Sequence, residues 1–237
     1  MEIKTKNPFP DPLRAVIFDM DGLLIDTEKH LVRCWCQAAH EMGFPMEREH
    51  ALHIRSLAGK YAAPYLQSVL GENFDYAKVR ERRKQLVAKA LEEEGIEPKK
   101  GARELLSWLK ENGVCTAVAT ATDSERAESY LRAIGVREYI DHLVCATMVE
   151  NGKPMPDVYL YACKELSLPP KACLALEDSP NGALAAWRAG CAVVMVPDLT
   201  PPDEETLPIL TGMAESLLDI PDLIRRYSPS SLSGDKR

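Results

Sequence analysis

The chain has 237 residues, 46% of them hydrophobic, which is enough for one large domain or for a core with a smaller domain beside it. Its net charge of −7 argues against a nucleic-acid role, because phosphate backbones are met with an excess of Lys and Arg. No run of about 18 apolar residues occurs, which argues against a membrane span, and no apolar stretch follows Lys4 and Lys6, so the N-terminus does not read as a signal peptide.

Residues 1–12 read as a tail, and the first element is the apolar run from Arg14 to Phe18. It ends in Asp19-Met20-Asp21-Gly22. Side chains at i and i+2 of an extended chain point the same way, so Asp19 and Asp21 can reach one point at the end of a strand. Gly22 allows the turn that follows. An isolated Asp-x-Asp-Gly is equally the pattern of a surface turn.

From Glu28 to Ile96 the pattern is helical throughout. Leu31, Trp35, Ala38 and Met42 form one stripe; Tyr65, Leu66, Val69 and Leu70 a second; Val79, Leu86 and Ala90 a third. Residues 28–96 are therefore expected to form a small helical domain, with hinges near Asp26–Thr27 and Ile96–Pro98. A helical excursion packed permanently on the core is the alternative.

Four further apolar runs read as buried strands: Cys115 to Ala119, His142 to Cys145, Cys173 to Leu176, and Cys191 to Val196. Helical patterns lie between them. Thr122-Asp123-Ser124-Glu125 offers a capping box for a helix carrying Ala127, Leu131 and Ile134. Val158, Ala162 and Leu166 mark another, and Ser179-Pro180 reads as N-cap and first residue of a third that ends near Gly190. Strand alternating with helix predicts an α/β fold with a doubly wound parallel sheet. Its core is assigned to residues 13–27 and 97–227, with a second tail at 228–237.

In such sheets ligands bind outside the carboxyl ends of the strands. Asp19, Thr120 and Asp178 each follow a predicted strand, and Lys153 sits in the loop Asn151-Gly152-Lys153-Pro154-Met155-Pro156-Asp157. The seven cysteines contain no Cys-x-x-Cys pair and read as buried free thiols in a reducing, cytoplasmic setting.

Asp19 to Asp26 (Asp-Met-Asp-Gly-Leu-Leu-Ile-Asp) resembles the first motif of the haloacid dehalogenase-like phosphohydrolases. Thr120, Lys153 and Glu177-Asp178-Ser179-Pro180-Asn181-Gly182 follow in the order of that family's other three motifs, and the resemblance spans nearly the whole chain. It implies a Rossmann-like core in which the helical insertion is a cap over the active site. It also implies roles. Asp19 would be the nucleophile and Asp21 the general acid and base; Thr120 and Lys153 would bind the transferring phosphoryl group. Mg²⁺ would be held by Asp19, by Asp21 through its backbone carbonyl, and by Asp178, with Glu177 beside them. Electrostatics agree: Asp19, Asp21, Glu177 and Asp178 outnumber Lys153, and a phosphate dianion would be repelled unless a hard divalent cation intervened.

The cap would then supply substrate contacts, for which Arg55, Lys60, Arg82, Arg83 and Lys84, with Trp35, are candidates. The motifs look closest to the branch holding β-phosphoglucomutase and sugar-phosphate phosphatases. Two departures weigh against a mutase: Leu31 stands where mutases tend to carry a cap histidine, and Leu57-Ala58-Gly59-Lys60-Tyr61-Ala62-Ala63 lacks the arginine that follows their cap glycine. The expectation is an Mg²⁺-dependent phosphatase acting on a small phosphorylated metabolite, with no nucleic-acid or membrane partner, and monomeric. A phosphosugar mutase and a non-catalytic binding protein are the alternatives.

Overall fold

The computed structural model describes residues 8–231. Six parallel strands form one sheet: β1 (Ala15–Phe18), β2 (Cys115–Thr120), β3 (His142–Cys145), β4 (Cys173–Glu177), β5 (Ala192–Met195) and β6 (Gly212–Met213), in the order β3-β2-β1-β4-β5-β6. The two-residue β6 has no apolar run to announce it and is absent from the sequence reading.

The central strands are buried on both faces, which is why they read as unbroken apolar runs. Val16, Phe18, Val118, Leu174, Leu176 and Val194 point to one side, while Ala15, Ile17, Ala117, Ala119, Ala175 and Val193 point to the other. The first face is covered by α5 (Ala102–Glu111), α6 (Ser124–Ala133) and α9 (Ile220–Tyr227), and the second by α7 (Asp157–Glu165) and α8 (Pro180–Ala189). Helices α5 and α9 were not anticipated, although Leu105, Leu106 and Leu109 give α5 a helical stripe.

Residues between β1 and α5 form four helices: α1 (Glu28–Glu41), α2 (Arg48–His53), α3 (Gly59–Leu70) and α4 (Tyr76–Glu94). They carry a hydrophobic cluster of their own, built on Trp35, Ala38, Met46, Leu66, Phe74 and Val79. Ala58 N–H donates to the Lys153 carbonyl at 2.8 Å, and Asn181 Nδ2 donates to the His53 and Arg55 carbonyls at 3.1 and 3.0 Å, so this layer is tied to the loops above the sheet. No helix among the described residues is long and apolar enough to cross a membrane.

The inner ends of the two expected tails are not free. Ser228 is fully buried and accepts from Leu13 N–H at 3.0 Å, and the rings of Phe9 and Tyr227 lie 5.8 Å apart. A buried hydroxyl that caps a buried amide fixes both segments. The outer parts of the expected tails, 1–7 and 232–237, lie outside the described residues.

Candidate active site

Strand order reverses at β1, whose neighbours are β2 on one side and β4 on the other. The crevice at the carboxyl ends of β1 and β4 is thus the topological switch point. Asp19 immediately follows β1, Glu177 ends β4 and Asp178 follows it. All three are buried, and one oxygen from each lies within 4.8 Å of the others.

Lys153 is 2% exposed, and its ammonium sits between two of these acids, 2.5 Å from Asp19 Oδ1 and 2.6 Å from Glu177 Oε1. Burial alone would lower its pKa, but Asp19 and Glu177 raise it overall, so it is held charged. Tyr159, on α7, donates its hydroxyl to Glu177 Oε1 at 2.5 Å, and Lys153 Nζ lies 5.2 Å from the centre of its ring. Tyr159 escaped the sequence reading because it neighbours Val158 in an apolar stripe, where a tyrosine reads as core.

Burial pushes the Asp19 carboxyl up to about 8, against the opposing pull of Lys153. Asp178 is raised well above the carboxylate range, again chiefly by burial, with Arg55 opposing. Three acids brought together and dried in this way call for a cation. Asp178 Oδ1 is buried with no hydrogen-bond partner among the described residues. Mg²⁺ takes oxygen ligands at about 2.0–2.1 Å in octahedral array, which sets neighbouring ligands roughly 3–4 Å apart. Asp19 and Asp178 bring carboxylate oxygens within 4.8 Å of each other, hard donors of the kind Mg²⁺ takes. Glu177 is engaged on both oxygens, since Oε2 accepts from Asp178 N–H at 3.3 Å, and so it orients Lys153 as much as it offers a ligand.

The Asp21 carboxylate lies outside this cluster, and the ligand expected of Asp21 is its backbone carbonyl. Thr27 donates to its Oδ1 at 2.6 Å and Thr122 to its Oδ2 at 2.8 Å. Thr122 is therefore a site residue. The N-cap of α6 is Asp123, which accepts from Arg126 N–H at 3.2 Å, and not Thr122 as the capping-box pattern suggested. Thr120, at the end of β2, is fully buried and accepts from Thr122 N–H at 3.0 Å.

Two glycines let these groups approach. Gly22 has φ +86°, and a Cβ there would collide with Asp178 Oδ2; a Cβ on Gly182 would collide with both oxygens of Glu177.

A cavity of about 400 Å³ separates the sheet from the inserted helices, lined by Asp19, Asp21, Thr120 and Lys153 below and by Trp35, Arg55, Lys60, Tyr76, Arg80 and Arg83 above. Lys60 lines it, 3.3 Å from Asn151 Oδ1. Arg82 and Lys84 do not, which corrects two of the expected contacts: Arg82 is paired with Glu41 at 2.6 Å and Lys84 with Glu81 at 3.4 Å. The inward face of α4 follows Tyr76, Arg80, Arg83 and Val87, the spacing of one helical stripe, and positions either side of Arg83 turn away by about 100° each. Arg55 reaches deepest. It is 4% exposed, contacts Asp178, and lies 3.2 Å from Glu28 Oε2 and 2.8 Å from Thr200 Oγ1. Leu31 lines the cavity, while His30 is buried outside it, 3.3 Å from Arg33.

Among curated proteins the chain is 33% identical over 183 residues to a phosphorylated carbohydrates phosphatase of Thermotoga maritima, covering 75% of this chain and 82% of that one. It is 31% identical over 183 residues to hexitol phosphatase A of Escherichia coli, covering 77% and 82%. Among solved structures, CbbY of Rhodobacter sphaeroides in complex with phosphate superposes with a TM-score of 0.74 at 25% identity, over 94% of this chain and 100% of that one. Residues 13–190 match the hydrolase family described as haloacid dehalogenase-like hydrolase. With a parallel six-stranded α/β fold and this coverage, the chain belongs to the haloacid dehalogenase-like hydrolases.

Proposed function

We propose that this hydrolase is a phosphatase that releases inorganic phosphate from a small phosphorylated sugar through an aspartyl-phosphate on Asp19, with the inserted helices 28–96 acting as its cap. The observation that carries the reading is the meeting of Asp19, Lys153, Glu177 and Asp178 at one point, with Asp21 held separately by two threonine hydroxyls. The names of the Thermotoga and Escherichia relatives support the substrate class.

Lys153 occupies Asp19 Oδ1, and Oδ2 makes no hydrogen bond among the described residues, so it is the oxygen available for attack. It attacks phosphorus, and the bond from phosphorus to the leaving oxygen breaks as Asp21 gives that oxygen its proton. Asp21 then takes a proton from water, whose oxygen attacks phosphorus and returns Asp19 to a carboxylate. Lys153 and Thr120 would bear the charge on the phosphoryl oxygens. Mg²⁺, held by Asp19 and Asp178, would neutralise the acids and the phosphoryl group together. The cavity falls within the range of small-ligand sites, about 300–1,000 Å³, and suits a sugar phosphate.

The test is phosphate release from an aryl phosphate and from a panel of sugar phosphates, with Mg²⁺ and with chelator, for the parent and for Asp19→Asn. Metal-dependent release that Asp19→Asn abolishes supports the reading; release indifferent to both overturns it. Conversion of β-glucose 1-phosphate to glucose 6-phosphate, primed by the 1,6-bisphosphate and faster than phosphate release, would favour a mutase instead. Leu31 in the cavity, with His30 turned out of it, weighs against that outcome.

A further inference from the structure

The roof of the cavity carries a buried charge that has no ion pair among the described residues. Arg83, on the inward face of α4, is 9% exposed and lines the cavity. Its guanidinium lies over the Trp35 ring at 5.0 Å, and its Nε is buried with no hydrogen-bond partner among the described residues. The other buried cations are matched: Arg55 with Glu28 and Asp178, Lys153 with Asp19 and Glu177. Arg83 pairs with no carboxylate among the described residues.

Its neighbours add to the imbalance. Burial lowers its pKa, and repulsion from Arg80 and Arg126 lowers it further. Arg126 is held by Asp123 at 2.7 Å, whereas Arg80, one turn from Arg83 on the same face, has no ion pair among the described residues. Asp21, a carboxylate whose charge acts on Arg83, already accepts hydrogen bonds from Thr27 and Thr122. A buried cation without a partner is costly, and one that lines a cavity can be relieved by an anion that enters it.

We propose that Arg83, flanked by Arg80 and Arg126, is a subsite for a second oxyanion at the end of the substrate remote from the transferring phosphoryl group. The substrate class is then a phosphorylated sugar with two anionic ends, the second a carboxylate or another phosphate. The planar guanidinium offers paired donors to either group, and the Trp35 face fixes its plane and excludes water from one side. The assignment of the two ends rests on the phosphatase reading; the subsite itself rests on Arg83.

The test uses probes matched except for the distal charge: 6-phosphogluconate against glucitol 6-phosphate for a carboxylate, and fructose 1,6-bisphosphate against fructose 6-phosphate for a phosphate. At least one pair should show a tenfold or greater preference in kcat/KM for the doubly anionic member, and the pair that does so identifies the oxyanion. Arg83→Met should lower that ratio at least tenfold, mainly through KM; Arg83→Lys should retain part of it, and Arg80→Gln should move it in the same direction. Because the cation is unpaired, Arg83→Met should melt no lower than the parent. No preference in either pair, or a ratio unchanged by Arg83→Met, overturns the proposal. Calorimetric binding of the same probes to Asp19→Asn reads the subsite without turnover. Tighter binding of a doubly anionic probe, with no phosphate release by the parent, would sink the phosphatase reading and keep the subsite. Phosphate release with no preference in rate or binding would sink the subsite alone.

Discussion

Arg55, from the inserted helices, is in direct contact with Asp178, from the end of β4, although 122 residues separate them in the chain. The guanidinium also lies 3.2 Å from Glu28 and 3.7 Å from Asp198. A cation of the inserted layer therefore sits against one of the carboxylates suited to hold a metal, and the layer's position over the sheet is coupled to the charge state of the site.

Removing that guanidinium strands buried acids. Arg55→Met should destabilise the metal-free protein by about 3–5 kcal/mol, the usual effect of breaking a buried ion pair from one side. Part of the loss should return with Mg²⁺, which would supply positive charge at Asp178. Urea unfolding with and without Mg²⁺ checks both; a variant as stable as its parent would show that the contact contributes nothing.

Metal should stabilise the parent as well. A ligand that binds only the folded state at a hundred times its Kd adds about 2.7 kcal/mol, and for a chain of this size roughly 2–4 °C accompany each kcal/mol. Saturating Mg²⁺ should thus raise the melting temperature by about 5–10 °C, reversed by chelator. Asp178→Asn should lose most of this shift and Asp21→Asn should keep it, since the Asp21 carboxylate lies outside the cluster.

Gly182→Ala should disturb the site without touching a reacting group. A methyl there meets Glu177 at both oxygens, and Glu177 holds Lys153 and Tyr159. Overpacking of this kind costs about 1–3 kcal/mol, and the displaced carboxylate should also weaken Mg²⁺ binding. Alanine here with unchanged stability and metal shift would mean that Glu177 moves aside freely.

Much of this is legible in the sequence alone. Apolar runs such as Ala15–Phe18 and Cys173–Glu177 betray strands buried on both faces, and polar residues that interrupt their ends stand out against them. Asp19, Thr120 and Asp178 are visible for that reason. Arg83 and Arg82 could not be ranked, because both occupy a helix rich in charge and only the packed face separates them. Arg55 was equally obscure: its partners Asp178 and Asp198 lie more than a hundred residues away. The role of Thr122 was hidden by a competing local pattern, since a threonine before Asp-Ser-Glu satisfies the capping rule as written.

That role yields the most specific expectation for turnover. Asp21 accepts from Thr27 and Thr122 from opposite segments, one opening the inserted helices and one following β2. Two such bonds fix the carboxylate, which in the proposed mechanism would meet the leaving oxygen, and neither threonine is in the metal cluster. Positioned acid–base groups contribute about 10²–10⁴-fold to rate, so loss of one of two tethers should cost part of that, roughly tenfold in kcat. Thr122→Val keeps the shape and removes the hydroxyl, and Thr27→Val does the same from the other side. Each should slow turnover while preserving the Mg²⁺ melting shift, and the double variant should approach Asp21→Asn. Steady-state kinetics beside thermal melts separates the outcomes: kcat unchanged in the double variant would show that Asp21 is placed by something other than these two hydroxyls.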